Sequence, residues 1–121
     1  MKKTKTFKLG ELFSCPGGLA YGALNSKIIS DHTEFSMEHQ WASDFDADSC
    51  NTYTKNICPN RPGSVIYQDV RKLDIKKFQP IDAFAYGFPC NDFSIVGEQR
   101  GFDGNFGPLY TYGVQVLDHF K

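Results

Sequence analysis

The chain has 121 residues, 13 of them basic and 14 acidic, for a net charge of -1; it is one domain at most and short for an enzyme with separate cofactor and substrate regions. The near balance of charge excludes a general electrostatic attraction to nucleic acid or anionic membrane, so a nucleic-acid role has to come from particular residues. Four cysteines (Cys15, Cys50, Cys58, Cys90) without CxxC spacing or paired histidines, and a basic N-terminus without an apolar stretch behind it, predict a cytoplasmic protein with free thiols and not a disulfide framework or a zinc site, and no apolar run approaches the length needed to span a bilayer.

In chain order, "TFKLGELFS" reads as a strand with apolar positions at Phe7, Leu9 and Leu12 or Phe13. "CPGG" breaks it, and "LAYGALNSKI" carries Leu19, Ala23, Leu24 and Ile28 at near-helical spacing. "FSMEHQWASDFD" suggests a second strand ending at Asp44 and Asp46, followed by "ADSCNTYTKNI" as a short helix stopped at Cys58 and Pro59. A third strand is expected at "SVIYQDV" and a fourth at "IDAFAYG", ending at Gly87; a last helix starts near Leu109 with Val114, Leu117 and Phe120 on an apolar face. Alternating strands and helices predict an α/β domain, residues 1–121, with a mainly parallel sheet. The end of the sequence inside a βα repeat gives the expectation of a truncated domain.

In such sheets a ligand sits at the carboxyl ends of the strands. Those ends hold "SCPGG", Asp44, Asp69 and "FPCN", four loops expected to converge on one crevice. Gly17 and Gly18 allow a sharp turn and close approach to a ligand at a helix start, although a lone glycine pair also fits an ordinary strand-to-helix turn. Asp44, about 26 residues on, is near the separation expected of a ribose-binding carboxylate. Phe45 fits either an adenine stack or the core. Asp69 fits either an adenine contact or a helix cap. Cys90 follows Pro89, which fixes one backbone dihedral; a single cysteine is more often a small buried hydrophobe than a nucleophile. A Cys-His-Asn hydrolase has little support, because His32, His39 and His119 lie in segments without motif character.

The runs "ELFSCPGGLAYG" and "GFPCNDFSIVGEQRGFDGNFGPLY" resemble the cofactor-binding and catalytic motifs of the DNA (cytosine-5)-methyltransferases, and "ASDFDADSCNTY" and "QDVRKLD" fall in the right order between them. The resemblance covers nearly the whole chain from about residue 9, and its catalytic motif is specific enough to outweigh the ordinary reading of Cys90. It implies a Rossmann-like fold that binds S-adenosyl-L-methionine. Phe13, Pro16, Gly17 and Gly18 would hold the methionine and ribose parts, Asp44 the ribose hydroxyls, Phe45 the adenine face, and Asp69 with Val70 the adenine edge. Gly87, Pro89 and Leu109 would complete the pocket wall. Cys90 would attack carbon 6 of a cytosine flipped out of duplex DNA, with Ser94 and Arg100 on phosphates; no metal is implied.

Cys15 and Asp44 depart from the family's usual glycine and glutamate, Asn91 from its usual glutamine, and Glu98 stands where basic residues are common. The Glu-Asn-Val and Arg-x-Arg motifs, the target-recognition region and the final motif are not in the sequence. The expectation is therefore an N-terminal portion of a restriction-modification type enzyme, inactive alone and completed by a C-terminal part or complementary chain. The alternatives are a tRNA cytosine-5 methyltransferase and a non-catalytic cofactor-binding relict.

Overall fold

The computed structural model describes residues 3–87 and 109–121. Its strands are β1 (Lys3–Leu12), β2 (Lys27–Ser30), β3 (Thr33–Asp44), β4 (Val65–Tyr67) and β5 (Ala83–Tyr86), and its helices α1 (Gly18–Leu24), α2 (Ala47–Ile57) and α3 (Tyr110–Phe120). The sheet is mixed: β1 pairs in parallel with β3 and β5, β3 in parallel with β4, and β2 lies antiparallel to β3. Strand β3 shares its outer edge between two partners, β2 along Thr33–Ser36 and β4 along Ala42–Asp44. The parallel set thus runs β4-β3-β1-β5. The chain moves outward from β1 through β3 to β4, then crosses back to β5 on the other side of β1, which creates a reversal of strand order beside the C-terminal end of β1.

Strand β2 was not expected, and it corrects the reading of residues 19–28 as one helix. Helix α1 stops at Leu24 because two polar side chains take over its last carbonyls: Asn25 Nδ2 donates to the Tyr21 carbonyl at 2.7 Å and Ser26 Oγ to the Ala23 carbonyl at 2.6 Å. The chain then forms a hairpin. Asp31 and His32 both have positive φ, 50° and 65°, as a two-residue hairpin turn requires. Ile28, assigned to the helix by its spacing, is an exposed strand residue. A Lys27–Glu34 ion pair at 3.0 Å crosses the hairpin.

Two apolar clusters lie on opposite faces of the sheet. One joins Leu12, Trp41, Val70, Leu109 and Val116, with Phe78, Phe84, Tyr86 and Phe120 against it; the other joins Ala20, Ala42, Tyr53 and Cys58 beneath α1 and α2. A register shift between Leu9 and Gly10, opposite His39 and Trp41, skips Gln40. This bulge sends His39 toward α2 and Trp41 toward the α3 face, whereas regular alternation would keep residues two apart on one side. Gly10 makes room for the indole, since a Cβ there would lie 2.6 Å from the Trp41 ring. Trp41 Nε1 donates to the Gln79 carbonyl at 3.0 Å, so the buried indole N–H is satisfied.

Helix α2 occupies the expected residues, and its start is capped by Asp46, which accepts the Ser49 N–H at 2.9 Å. Among the described residues no helix is long and apolar enough to cross a membrane.

Candidate functional site

At the C-terminal ends of β1 and β3 lies a cleft with about 460 Å³ of free space, counting its open mouth, lined by Leu12, Phe13, Ser43, Asp44, Phe45, Gln68, Asp69, Val70, Arg71 and Leu109. Six residues singled out from the sequence meet there: Phe13, Asp44, Phe45, Asp69, Val70 and Leu109. Strand β1 ends in a tight turn rather than running on, because Phe13 and Cys15 both take positive φ, 54° and 56°, before Gly17 at 109°. Non-glycine residues at such φ carry local strain, which surrounding bonds must hold in place.

Asp44 supplies those bonds. It is buried at the end of β3; its Oδ2 accepts the Cys15 N–H at 2.9 Å and its Oδ1 accepts the Asp46 N–H at 2.9 Å. Ser14 N–H donates to the Ser43 carbonyl at 3.1 Å, a second tie between the turn and β3. One carboxylate therefore fixes two loops of the cleft, and each of its oxygens keeps a further lone pair for a ligand hydroxyl. Phe45, next in sequence, leaves about two thirds of its surface in solvent and is not a core residue.

Asp69 is occupied twice over. It caps the short 3₁₀ turn Val70–Lys72 by accepting the Arg71 N–H at 2.9 Å, and it forms a forked pair with the Arg71 guanidinium through Nε at 3.0 Å and Nη2 at 2.7 Å. These bonds to Arg71 hold the carboxyl down at about 2. The helix-cap alternative is thus realised, while Val70 behind it is buried in the core and Asp69 still faces the cleft.

Gly17 is buried at the N-cap of α1, and Gly18, the first residue of the helix, has nothing within 4 Å of where a Cβ would stand, leaving that side open. Pro16 is exposed on the turn, and Gly87, just past β5, is exposed; neither lines the cleft. Pro89, Cys90, Ser94 and Arg100 lie outside the described residues. The exposed Cys15 thiol is pushed up by partial desolvation and by the nearby charges of Asp44, Glu11 and Asp46, which disfavours thiolate. Among the described residues no group of His, Cys, Asp and Glu is arranged to hold a metal ion.

Sequence reasoning missed Leu12, Ser43, Gln68 and Arg71 as lining residues, and it missed a buried polar chain behind the cleft. The fully buried Tyr53 donates from Oη to Glu11 Oε1 at 2.7 Å, His39 Nδ1 lies 3.2 Å from the same hydroxyl, and His39 Nε2 lies 2.7 Å from Ser64 Oγ. Burial raises the Glu11 carboxyl against the opposing bond from Tyr53. Burial, followed by the Arg61 charge, lowers His39 to about 4, so the imidazole is neutral and one nitrogen donates while the other accepts. Only the acid in "ELFS" and the "TY" of α2 hinted at the chain, at positions 42 residues apart.

A carboxylate-and-aromatic cleft at the strand ends, beside a glycine turn and a strand-order reversal, defines the class: an α/β protein with a cleft at the carboxyl edge of its sheet, where ligands of such folds sit. Comparison with known proteins narrows this. The model of the family described as C-5 cytosine-specific DNA methylase matches residues 7–121, and the chain belongs to that family. It is similar to the Type II methyltransferase M.BbvI of Brevibacillus brevis, with 55% identity over 121 residues, 95% of this chain and 32% of the relative. It is also similar to the Type II methyltransferase M.NgoFVII of Neisseria gonorrhoeae, with 34% identity over 94% of this chain and 28% of that protein. The chain thus spans less than a third of the length of these relatives.

Proposed function

We propose that this chain is the cofactor-binding and nucleophile-bearing portion of a DNA (cytosine-5)-methyltransferase of restriction-modification type, working in the cytoplasm on a Rossmann-like, mainly parallel scaffold. The observation that carries the reading is the cleft at the strand ends, where Phe13, Asp44, Phe45, Asp69, Val70 and Leu109 meet. Its chemistry suits S-adenosyl-L-methionine: apolar walls for a purine face, carboxylates for hydroxyl and amino donors, and an open glycine turn for the amino-acid end. Asp44 would hold the ribose and Phe45 the adenine face. Asp69 and Val70 would meet the adenine edge, Phe13, Pro16, Gly17 and Gly18 would hold the methionine and ribose parts, and Gly87, Pro89 and Leu109 would complete the pocket wall.

When bound, the cofactor supplies an electrophilic methyl group on a sulfonium. Carbon 5 of cytosine is a weak nucleophile until the ring loses aromaticity. The thiolate of Cys90 would form a bond to carbon 6, shifting electron density onto carbon 5, which would take the methyl group as the methyl–sulfur bond breaks and leaves a neutral thioether; loss of the carbon 5 proton with expulsion of the Cys90 thiolate would then restore the ring. Neither carbon is reachable in a stacked duplex, so the partner is DNA with a flipped cytosine. Ser94 and Arg100 would contact phosphates. Turnover requires an acid at the cytosine ring nitrogen and a target-recognition region, which a C-terminal part or a complementary chain would provide.

The test joins this sequence to a C-terminal part carrying the Glu-Asn-Val motif and a recognition region. The joined protein should bind labelled S-adenosylmethionine, methylate duplex DNA and form a covalent adduct with 5-fluorocytosine DNA, and Cys90→Ser should abolish the adduct. An adduct that survives Cys90→Ser refutes the nucleophile. Label passing to tRNA and not to DNA moves the substrate to tRNA, and cofactor binding with neither transfer leaves a non-catalytic relict.

A further inference from the structure

The turn that follows β1 is clamped from two sides. On the cleft side Asp44 accepts the Cys15 N–H. On the far side, Gly17 sits against α2: a Cβ at its φ of 109° would lie 3.1 Å from Tyr53 Cδ2 and 3.1 Å from Ile57 Cγ1. The Tyr53 ring, together with Ile57, is therefore the surface on which the glycine turn rests. That ring is itself fixed at its tip, with its hydroxyl between Glu11 Oε1 at 2.7 Å and His39 Nδ1 at 3.2 Å. Glu11 belongs to β1, two residues ahead of Phe13, so the strand that leads into the turn also holds the side chain that backs it.

Packing alone does not call for this arrangement. A phenylalanine would fill the same space, and burying a carboxylate beside a phenol is costly unless both are paired. What the polar tip adds is a fixed direction for the ring, since hydrogen bonds set orientation where apolar contact does not.

We infer that Tyr53, held by Glu11 and His39, is a positioning residue that sets the Cys15–Gly18 turn for the amino-acid end of the cofactor. The inference rests on the cofactor reading above. It has a consequence that a merely structural role lacks, namely selectivity between parts of one ligand. Adenosine would engage chiefly Asp44, Phe45, Asp69 and Val70, whereas S-adenosylmethionine would also set its amino-acid end on the turn.

The test measures binding of both compounds to the protein by equilibrium dialysis, beside urea unfolding of each variant. Tyr53→Phe keeps the ring and removes its anchor, and Glu11→Leu removes the acceptor. Each should weaken S-adenosylmethionine about tenfold, as misplacement of a positioning element does, while adenosine affinity stays within about twofold. Glu11→Gln, whose amide oxygen still accepts from Tyr53, should remain near wild type for both compounds and keeps the test decisive if Glu11→Leu does not fold. Equal loss of both compounds in Tyr53→Phe, or no loss of either, overturns the inference while leaving the cofactor reading intact. A wild-type protein that binds adenosine no worse than S-adenosylmethionine overturns it as well, and one that binds neither overturns the cofactor reading with it.

Discussion

Acidification from pH 6.5 to pH 4 should strip stability from this fold chiefly through one residue. His39 is held neutral, its value lowered to about 4 from 6.5 by burial and then by Arg61. The unfolded chain takes up the imidazole proton first, so between those values it binds more protons than the folded chain. The His39 contribution is thus fully present above pH 6.5 and is lost as pH falls through the window toward 4. A shift of this size corresponds to about 3 kcal/mol. Glu11, raised by burial, acts in the opposite sense: the folded chain keeps a proton that the unfolded chain releases above about 4.5. Asp69, held at about 2 by Arg71, loses its contribution only below the window, as pH falls from 3.8 toward 2. The clean observable is therefore a difference between wild type and His39→Gln. At pH 7 the variant should be the less stable, having lost the imidazole contacts with Tyr53 and Ser64, and the gap should narrow by about 3 kcal/mol on going to pH 4. Urea unfolding followed by fluorescence of Trp41, the single tryptophan and deeply buried, reads both proteins at each pH. A gap that stays constant across the window, or an NMR titration of the His39 ring near 6.5, would refute the argument.

Gly10→Ala would place a methyl 2.6 Å from the Trp41 ring, which is boxed in by Phe78 at 4.5 Å and Phe84 at 6.3 Å between centroids. The expected loss is about 2–3 kcal/mol in urea, and a change under about 0.5 kcal/mol would mean that the indole moves freely. Cys15 stands at φ 56°; Cys15→Gly relieves strain but loosens the unfolded chain, so stability should stay within about 1 kcal/mol, whereas Cys15→Val should cost about 1–3 kcal/mol in thermal unfolding. Equal effects of the two would count against backbone strain at this position. Asp44→Asn keeps the shape of the side chain, yet an amide nitrogen cannot accept from Cys15 or Asp46. The variant should lose about 1–3 kcal/mol, and an unchanged urea midpoint would show that the loops do not depend on this carboxylate.

The local sequence carried the α/β alternation, the helix over 47–57 and the residues at the strand ends, because turn chemistry and apolar spacing are short-range signals. The motifs also carried the family, since the chain's resemblance to cytosine-5 methyltransferases is one of residue types in order. Three features were settled only in three dimensions. The hairpin of β2 depended on Asn25 and Ser26 taking α1 carbonyls and on positive φ at Asp31 and His32, neither of which spacing reveals. The bulge at Gln40 put His39 and Trp41 on opposite faces, against the period of a regular strand. The Glu11–Tyr53–His39 chain joins β1, α2 and β3; its members look like ordinary polar residues until folding removes water and makes them one another's partners.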